Sequence, residues 1–303
     1  MRKLLEVNVA GLRLEHPVLN ASGILGSEPE HVDILVEAGF SAVVSKTFTL
    51  EQREGYPPPI LVELECGGYL NAVGLANPGA SGIRPLVERA KAWGKPVIVS
   101  IGGSSLREFV ELAAVVESSG ASAMELNLSC PHVKGHGLDV GSDPTVVYTL
   151  VKEVSSTVKI PVIAKLGLCD RIVESSGKAL EAGARAVTLI NTIRAMAIDI
   201  FSAKPVLSNK YGGLSGPPIK PIAVRVVYEV YKEYNAEIVG CGGIVSWKDA
   251  AEFILAGARA IQVGSGFLKD RGLVRKIVNG LEKWVQVLGY EVITDLVGLA
   301  HRK

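Results

Sequence analysis

The 303-residue chain is 48% hydrophobic and 21% charged, a composition that supports a large core and excludes disordered and fibrous classes. Its formal net charge of +1, with no basic stripe interleaved with aromatics, argues against a nucleic-acid partner and for a small molecule. Four scattered cysteines, Cys66, Cys130, Cys169 and Cys241, contain no CxxC pair, which fits neither a disulfide framework nor a zinc site and points to a reducing cytoplasm.

The N-terminus, Met1-Arg2-Lys3-Leu4-Leu5-Glu6, meets charge at once and lacks the apolar run of a signal peptide. No stretch approaches the ~20 apolar residues of a membrane span, so no membrane association is expected. Residues 5–14 alternate around Ala10-Gly11 and predict a β-hairpin able to plug one end of the molecule. A short apolar run follows at 17–20. Four junctions then repeat one pattern, a helix ending at Gly39, Gly120, Gly183 or Gly257 and a β-rich run starting within a few residues. These place strands at 42–45, 123–126, 186–190 and 260–263. Further apolar runs at 96–101, 161–166 and 237–240 bring the total to about eight.

Helical spacing fills the intervals. Phe109, Leu112, Ala113 and Val116 form an i, i+3, i+4, i+7 stripe, with Arg107, Glu108 and Glu111 directed to water. Single helices alternating with strands imply parallel pairing and right-handed crossovers. The expected fold is an α/β TIM (β/α)8 barrel, one domain over residues 1–303. Two connections, about 47–95 and 193–222, are too long for ordinary βα loops and read as functional. Both leave the carboxyl ends of strands, where barrel enzymes place their chemistry.

Those ends carry polar, small or reactive residues. Lys46 and Lys165 interrupt apolar strands, and a buried unpaired ammonium is costly, so each should face an anionic or polar ligand, or a structural ion pair. Gly242, Gly243, Gly264 and Gly266 lie where barrels bind phosphate through bare N–H groups, although structural turns also use glycine. Gly212-Gly213-Leu214-Ser215-Gly216 offers further amides. Cys241 reads as a small buried hydrophobe. Cys130 differs, because it precedes a glycine-rich stretch, about 131–142, that reads as a lid. His132 and His136 lack partners for a credible metal set, so no metal is expected.

Five motifs occur in a distinctive order: Asn71-Ala72-Val73-Gly74-Leu75 with Asn77-Pro78-Gly79, Asn127-Leu128-Ser129-Cys130-Pro131, Ile190-Asn191-Thr192, Gly212-Gly213-Leu214-Ser215-Gly216-Pro217 and Cys241-Gly242-Gly243-Ile244. Through them the chain resembles class 1 dihydroorotate dehydrogenases over nearly its whole length. The resemblance implies oxidation of dihydroorotate to orotate in pyrimidine biosynthesis. It implies FMN across the barrel mouth, touched by Ala21, Ser22, Gly23, Lys46, Thr47, Asn127, Lys165, Ile190, Gly216, Gly242, Gly243, Gly264 and Ser265. The substrate would stack on the flavin, with Lys46, Asn71, Val73, Gly74 and Leu75 near its carboxylate and Asn127, Asn191 and Thr192 on its ring edges. Cys130 would be the base that takes the C5 proton while hydride leaves C6 for the flavin.

Cysteine as base implies class 1; class 2 uses serine and carries an N-terminal extension. The pattern from Asn71 to Gly79 resembles the heteromeric 1B branch, in which a partner subunit carrying FAD and a 2Fe–2S cluster passes electrons to NAD. This chain has no cluster-ligating cysteine pattern, so NAD reduction would need that partner, around a homodimer core of a heterotetramer in the cytoplasm. The competing readings are the fumarate-using 1A branch and a flavin-free aldolase or isomerase using Lys165 or Lys46. Two positions depart from the family pattern: His132 and Ser100 each stand where asparagine is usual.

Overall fold

The computed structural model describes residues 4–129 and 140–302. Eight short strands form one parallel sheet rolled into a barrel: β1 (Val18–Asn20), β2 (Val43–Val44), β3 (Val97–Ile101), β4 (Ala123–Asn127), β5 (Val162–Leu166), β6 (Ala186–Leu189), β7 (Ile238–Cys241) and β8 (Ala258–Val263). Hydrogen-bonded neighbours run β1-β8-β7-β6-β5-β4-β3-β2. Every residue of β3 to β7 is buried, because helices cover the sheet outside and side chains fill it inside. That double burial produces continuous apolar runs where a half-exposed strand would alternate.

The covering helices are α1 (Pro29–Ala38), α2 (Ile83–Ala92), α3 (Leu106–Ser119), α4 (Pro144–Thr157), α5 (Ile172–Glu181), α6 (Lys220–Tyr234), α7 (Trp247–Ala256) and α8 (Leu273–Val287). In α3, Ser105 accepts from the Glu108 amide at the start, and Gly120 adopts φ 78° just past the end, a left-handed stop that costs glycine little. Phe109, Leu112, Ala113 and Val116 are buried together, as their spacing predicts. Glu108 departs from expectation: its carboxylate turns back to accept from the Ser104 amide and hydroxyl, both at 2.7 Å.

The backbone ladder stops between β1 and β2. There Asn20, 2% exposed, reaches across the seam, its amide donating to the Val44 carbonyl at 2.6 Å and its Oδ1 accepting from the Val44 N–H at 2.8 Å. The Ser41 N–H and hydroxyl both donate to the Val18 carbonyl, at 3.1 and 2.9 Å. One side chain therefore makes the paired bonds a strand neighbour would make, and the cylinder closes.

At the amino-terminal end, Val7–Val9 pairs antiparallel with Leu12–Leu14. Ala10 and Gly11 have φ of 51° and 78°, the double positive φ of a type I′ hairpin turn. The Ala10 N–H donates to Glu237 Oε2 at 2.7 Å, which fixes the hairpin beside the start of β7, opposite the strand ends that carry polar residues.

The two long connections are not simple loops. They form a four-stranded antiparallel sheet in the order Ile193–Ala195, Gly212–Ser215, Tyr69–Asn71, Leu61–Glu63, with a small core of Leu70, Ala72 and Leu207. Gly212 is required there, since a Cβ on it would lie 2.1 Å from the Asn71 carbonyl oxygen. This sheet roofs the carboxyl-terminal mouth.

Candidate active site

Between the strand ends and the roof lies a cavity of about 530 Å³. Its wall brings together residues from seven of the eight strand ends: Ala21, Ser22 and Gly23 after β1, Lys46 and Thr47 after β2, Asn127 of β4, Lys165 of β5, Ile190, Asn191 and Thr192 after β6, Gly242 and Gly243 after β7, and Gly264 and Ser265 after β8. The roof adds Asn71, Val73, Gly74, Leu75 and Gly216. Thus every described residue nominated as a cofactor or substrate contact faces one cavity. Cys130, His132 and lid positions 131–139 lie outside the described residues; Ser129, the residue before Cys130, lines the cavity.

Three basic side chains, Lys46, Lys165 and Arg194, line this space, and no aspartate or glutamate does among the described residues. Burial holds the Lys46 ammonium below the ordinary lysine pKa, because desolvation disfavours the charged form. Lys165, 3% exposed, is tied from beneath. Its Nζ donates to Gln262 Oε1 at 2.8 Å and stands 3.6 Å from Glu125 Oε1. The ion-pair reading of this lysine is therefore realised on its interior side, while the residue still borders the cavity.

A second network orders the polar wall. Thr47 Oγ1 lies 3.1 Å from the hydroxyls of Ser22 and Ser100 and accepts from the Asn127 amide at 3.1 Å. With its nitrogen so engaged, Asn127 turns Oδ1 to accept from the Ser129 hydroxyl at 2.7 Å and from the Asn191 amide at 3.4 Å. Asn191 Oδ1 accepts from the Thr192 N–H at 2.8 Å, and the Asn71 amide donates to the Gly213 carbonyl at 3.0 Å. Carboxamides held in one orientation can present donors and acceptors in a fixed pattern. Ser100 is buried and absent from the described lining; its hydroxyl meets the wall at Thr47.

The glycine side of the cavity is bare backbone. Gly243 has φ 73°, and a Cβ there would fall 2.7 Å from the Gly216 carbonyl oxygen. At Gly264, by contrast, a Cβ would meet only the Ala21 Cβ at 3.5 Å, so a side chain would instead occupy the cavity. Cys241 is 8% exposed at the wall, and burial pushes its thiol pKa up. It stays a neutral, small hydrophobe.

Sequence reasoning missed Glu125, Gln262 and Thr188. Each is a polar residue inside an otherwise apolar strand, the signal that singled out the two lysines. Arg194 and Tyr211, whose ring lies 4.2 Å from the guanidinium carbon, carried no motif.

A sequence profile described as dihydroorotate dehydrogenase matches residues 4–285. A protein of Aeropyrum pernix, provisionally named dihydroorotate dehydrogenase A (fumarate), is 52% identical over 98% of both chains. Proteins named dihydroorotate dehydrogenase B (NAD(+)), catalytic subunit, are 45% identical in Thermoplasma volcanium, over 99% of both chains, and 43% identical in Pyrococcus furiosus, over 98% of this chain and 99% of that one. The crystal structure of a dihydroorotate dehydrogenase of Eimeria tenella in complex with ferulenol superposes with a TM-score of 0.85 at 23% identity, covering 99% of this chain and 89% of that one; it supports the barrel fold. From the profile match and these end-to-end identities, the chain belongs to the dihydroorotate dehydrogenase family.

Proposed function

We propose that this chain is an FMN-dependent dihydroorotate dehydrogenase, the catalytic subunit of an NAD-linked 1B enzyme, with Cys130 as the catalytic base. One observation carries the reading: a single cavity combines a bare-backbone cradle, three basic side chains and oriented carboxamides, without a carboxylate among its described lining residues. That suits a flavin phosphate at one end and a carboxylated pyrimidine at the other.

The residues present fit FMN. Amides at Gly216, Gly242, Gly243, Gly264 and Ser265 would hold the phosphate. The cavity's volume is in the range of cofactor sites. Lys165 would stand at the N1/C2=O side, where reduction builds negative charge, and Ala21, Ser22, Gly23, Thr47 and Ile190 would complete the contact. FMN, when bound, supplies the hydride acceptor. Lys46 and Asn71, with the backbone of Val73, Gly74 and Leu75, would take the substrate carboxylate, and Asn127, Asn191 and Thr192 its alternating N–H and C=O groups. Cys130 would remove the C5 proton as a thiolate. The engagement of Lys165 with Gln262 and Glu125 disfavours Lys165 as the amine of the flavin-free Schiff-base alternative.

Relatives named as catalytic subunits and the pattern from Asn71 to Gly79 support a partner subunit, which would carry FAD and a 2Fe–2S cluster around a homodimer of this chain. A cytoplasmic location follows from that reading; among the described residues, no helix is long and apolar enough to cross a membrane. The name of the Aeropyrum relative favours a second reading, the fumarate-using 1A branch.

Anaerobic mixing of the FMN-loaded chain with dihydroorotate tests the function: the flavin should bleach within the mixing experiment, and an unbleached flavin would sink the assignment. The same preparation should reduce artificial acceptors but not NAD, with fumarate a poor acceptor. Efficient fumarate turnover would move the chain to the other branch.

Lys46 adds a pH expectation. Its folded pKa is lowered, so between that value and the ordinary lysine value the unfolded chain binds more protons, and stability of the ligand-free protein rises with pH across the window. A bound carboxylate favours the ammonium instead. Orotate affinity should therefore fall as pH climbs through the lowered value, with proton uptake on binding. Calorimetry in two buffers of different ionisation enthalpy measures both, and Lys46→Met should flatten both.

A further inference from the structure

Beneath the cavity floor the barrel interior holds four polar side chains that the proposed reaction does not use or only borders: Glu125, 0% exposed, Thr188, 0%, Gln262, 1%, and Lys165, 3%. They come from four strands, β4, β6, β8 and β5. Glu125 Oε2 accepts from Thr188 Oγ1 at 3.0 Å and from Gln262 Nε2 at 2.7 Å. Gln262 Oε1 in turn accepts from Lys165 Nζ at 2.8 Å. Glu125 Oε1 has no hydrogen-bond partner among the described residues and faces Lys165 Nζ across 3.6 Å. The carboxylate thus reaches the lysine twice, through a carboxamide relay and through space. Of these four, Lys165 lines the cavity; Glu125, Thr188 and Gln262 lie outside the described lining.

A buried carboxylate is costly to desolvate, and a barrel core would be stabilised as well by an apolar residue of similar volume. Packing alone gives no reason for a glutamate here. Its partners give one. Lys165 would be the cation beside the flavin's N1/C2=O side, and the field it projects depends on its orientation and on any nearby counter-charge, both of which Glu125 is placed to influence.

We propose that Glu125 is a positioning and charge-balancing residue for the flavin: it fixes the Lys165 ammonium through Gln262 and offsets part of its charge, which holds the flavin's reduction potential down. A lower potential speeds electron delivery to the acceptor and slows acceptance from substrate. Glu125 therefore partitions the driving force between the two halves of the catalytic cycle. The inference rests on the functional reading above, since it requires FMN in the cavity.

Glu125→Gln tests it on the intact chain, because it keeps the shape and removes the charge while turning one acceptor oxygen into a donor. FMN binding to the apoprotein is first measured by fluorescence quenching. If the unmodified chain binds none, the functional reading and this inference both fail. Given binding, the potential is read by equilibration with reference dyes. The ratio of reduced to oxidised flavin at fixed dye potential should rise about tenfold or more in E125Q, which for a two-electron couple is about 30 mV per tenfold. Flavin reduction by dihydroorotate should quicken several-fold and reoxidation should slow.

Thr188→Val removes a hydrogen bond to the carboxylate but no charge, and its potential should move far less. Equal shifts in T188V and E125Q would reduce Glu125 to a structural role and overturn the proposal, as would an unchanged potential in E125Q. Should E125Q fail to fold, Glu125→Asp decides: withdrawing the charge by one methylene should shift the potential in the same direction by less, and no shift would overturn the proposal.

Discussion

Replacing Cys130 by serine is expected to leave FMN bound while turnover at neutral pH falls by about 10²–10⁴-fold, the range that a positioned acid or base contributes. Acidity separates the two side chains. A thiol with an unperturbed pKa of ~8.5 supplies a useful fraction of thiolate near neutrality, whereas a serine hydroxyl supplies almost none. The unmodified chain should therefore gain activity with rising pH until the thiolate dominates, and the serine variant should keep gaining beyond that point. Steady-state kcat against pH, beside the flavin absorbance of both proteins, measures this. Rates near those of the unmodified chain would remove Cys130 from the mechanism. Cys241, one of two described cysteines lining the cavity with Cys169, is a poor substitute, since burial raises its thiol pKa and so disfavours its thiolate.

The second large effect concerns stability. Lys165→Met should destabilise the ligand-free protein by about 3–5 kcal/mol, the cost of stranding one partner of a buried pair, because Glu125 would remain 0% exposed without its counter-charge. Gln262 would also lose the donor to its Oε1. Denaturant unfolding monitored by tryptophan fluorescence gives the number. The double variant Lys165→Met with Glu125→Gln should recover a substantial part of the loss, since both charges then disappear together. If K165M costs less than about 1 kcal/mol, the range for exposed pairs, the pair is not a buried electrostatic unit.

The barrel was legible in the sequence because its strands are covered on both sides. Runs such as 161–166 and 96–101 stand out as continuous apolar segments, and the observed strands, Val162–Leu166 and Val97–Ile101, begin one residue inside them. The turn glycines after α1 and α3 adopt the left-handed conformation their position implies, Gly39 with φ 96° and Gly120 with φ 78°. The cavity residues were legible for a different reason. A barrel's own packing asks for few polar residues at strand ends, and seam residues such as Asn20 account for only part of those present, so their clustering marks the mouth.

What escaped was structure that depends on distant partners. The roof strands are three or four residues long and one is half glycine, below what periodicity or β-propensity can register. Asn20 merely closes the run at 17–20 in the sequence, and its role at the seam becomes visible only when Val44 is beside it. Glu125 lies mid-strand, and Gln262 stands one residue short of the end of β8 as Lys165 does in β5; a polar group among apolar neighbours is the same clue that flags Lys165, but neither belongs to a motif.

The roof sheet has a consequence for how the enzyme can diversify. Its central pairing joins Tyr69–Asn71 to Gly212–Ser215, segments from opposite halves of the chain, and Leu207 completes a nucleus with Leu70 and Ala72 that neither half possesses alone. The ceiling over the reactants is thus assembled from parts that tolerate little until the cylinder beneath them exists. A change there can alter which small molecules enter while leaving the floor, with its glycine cradle and charged centre, in place.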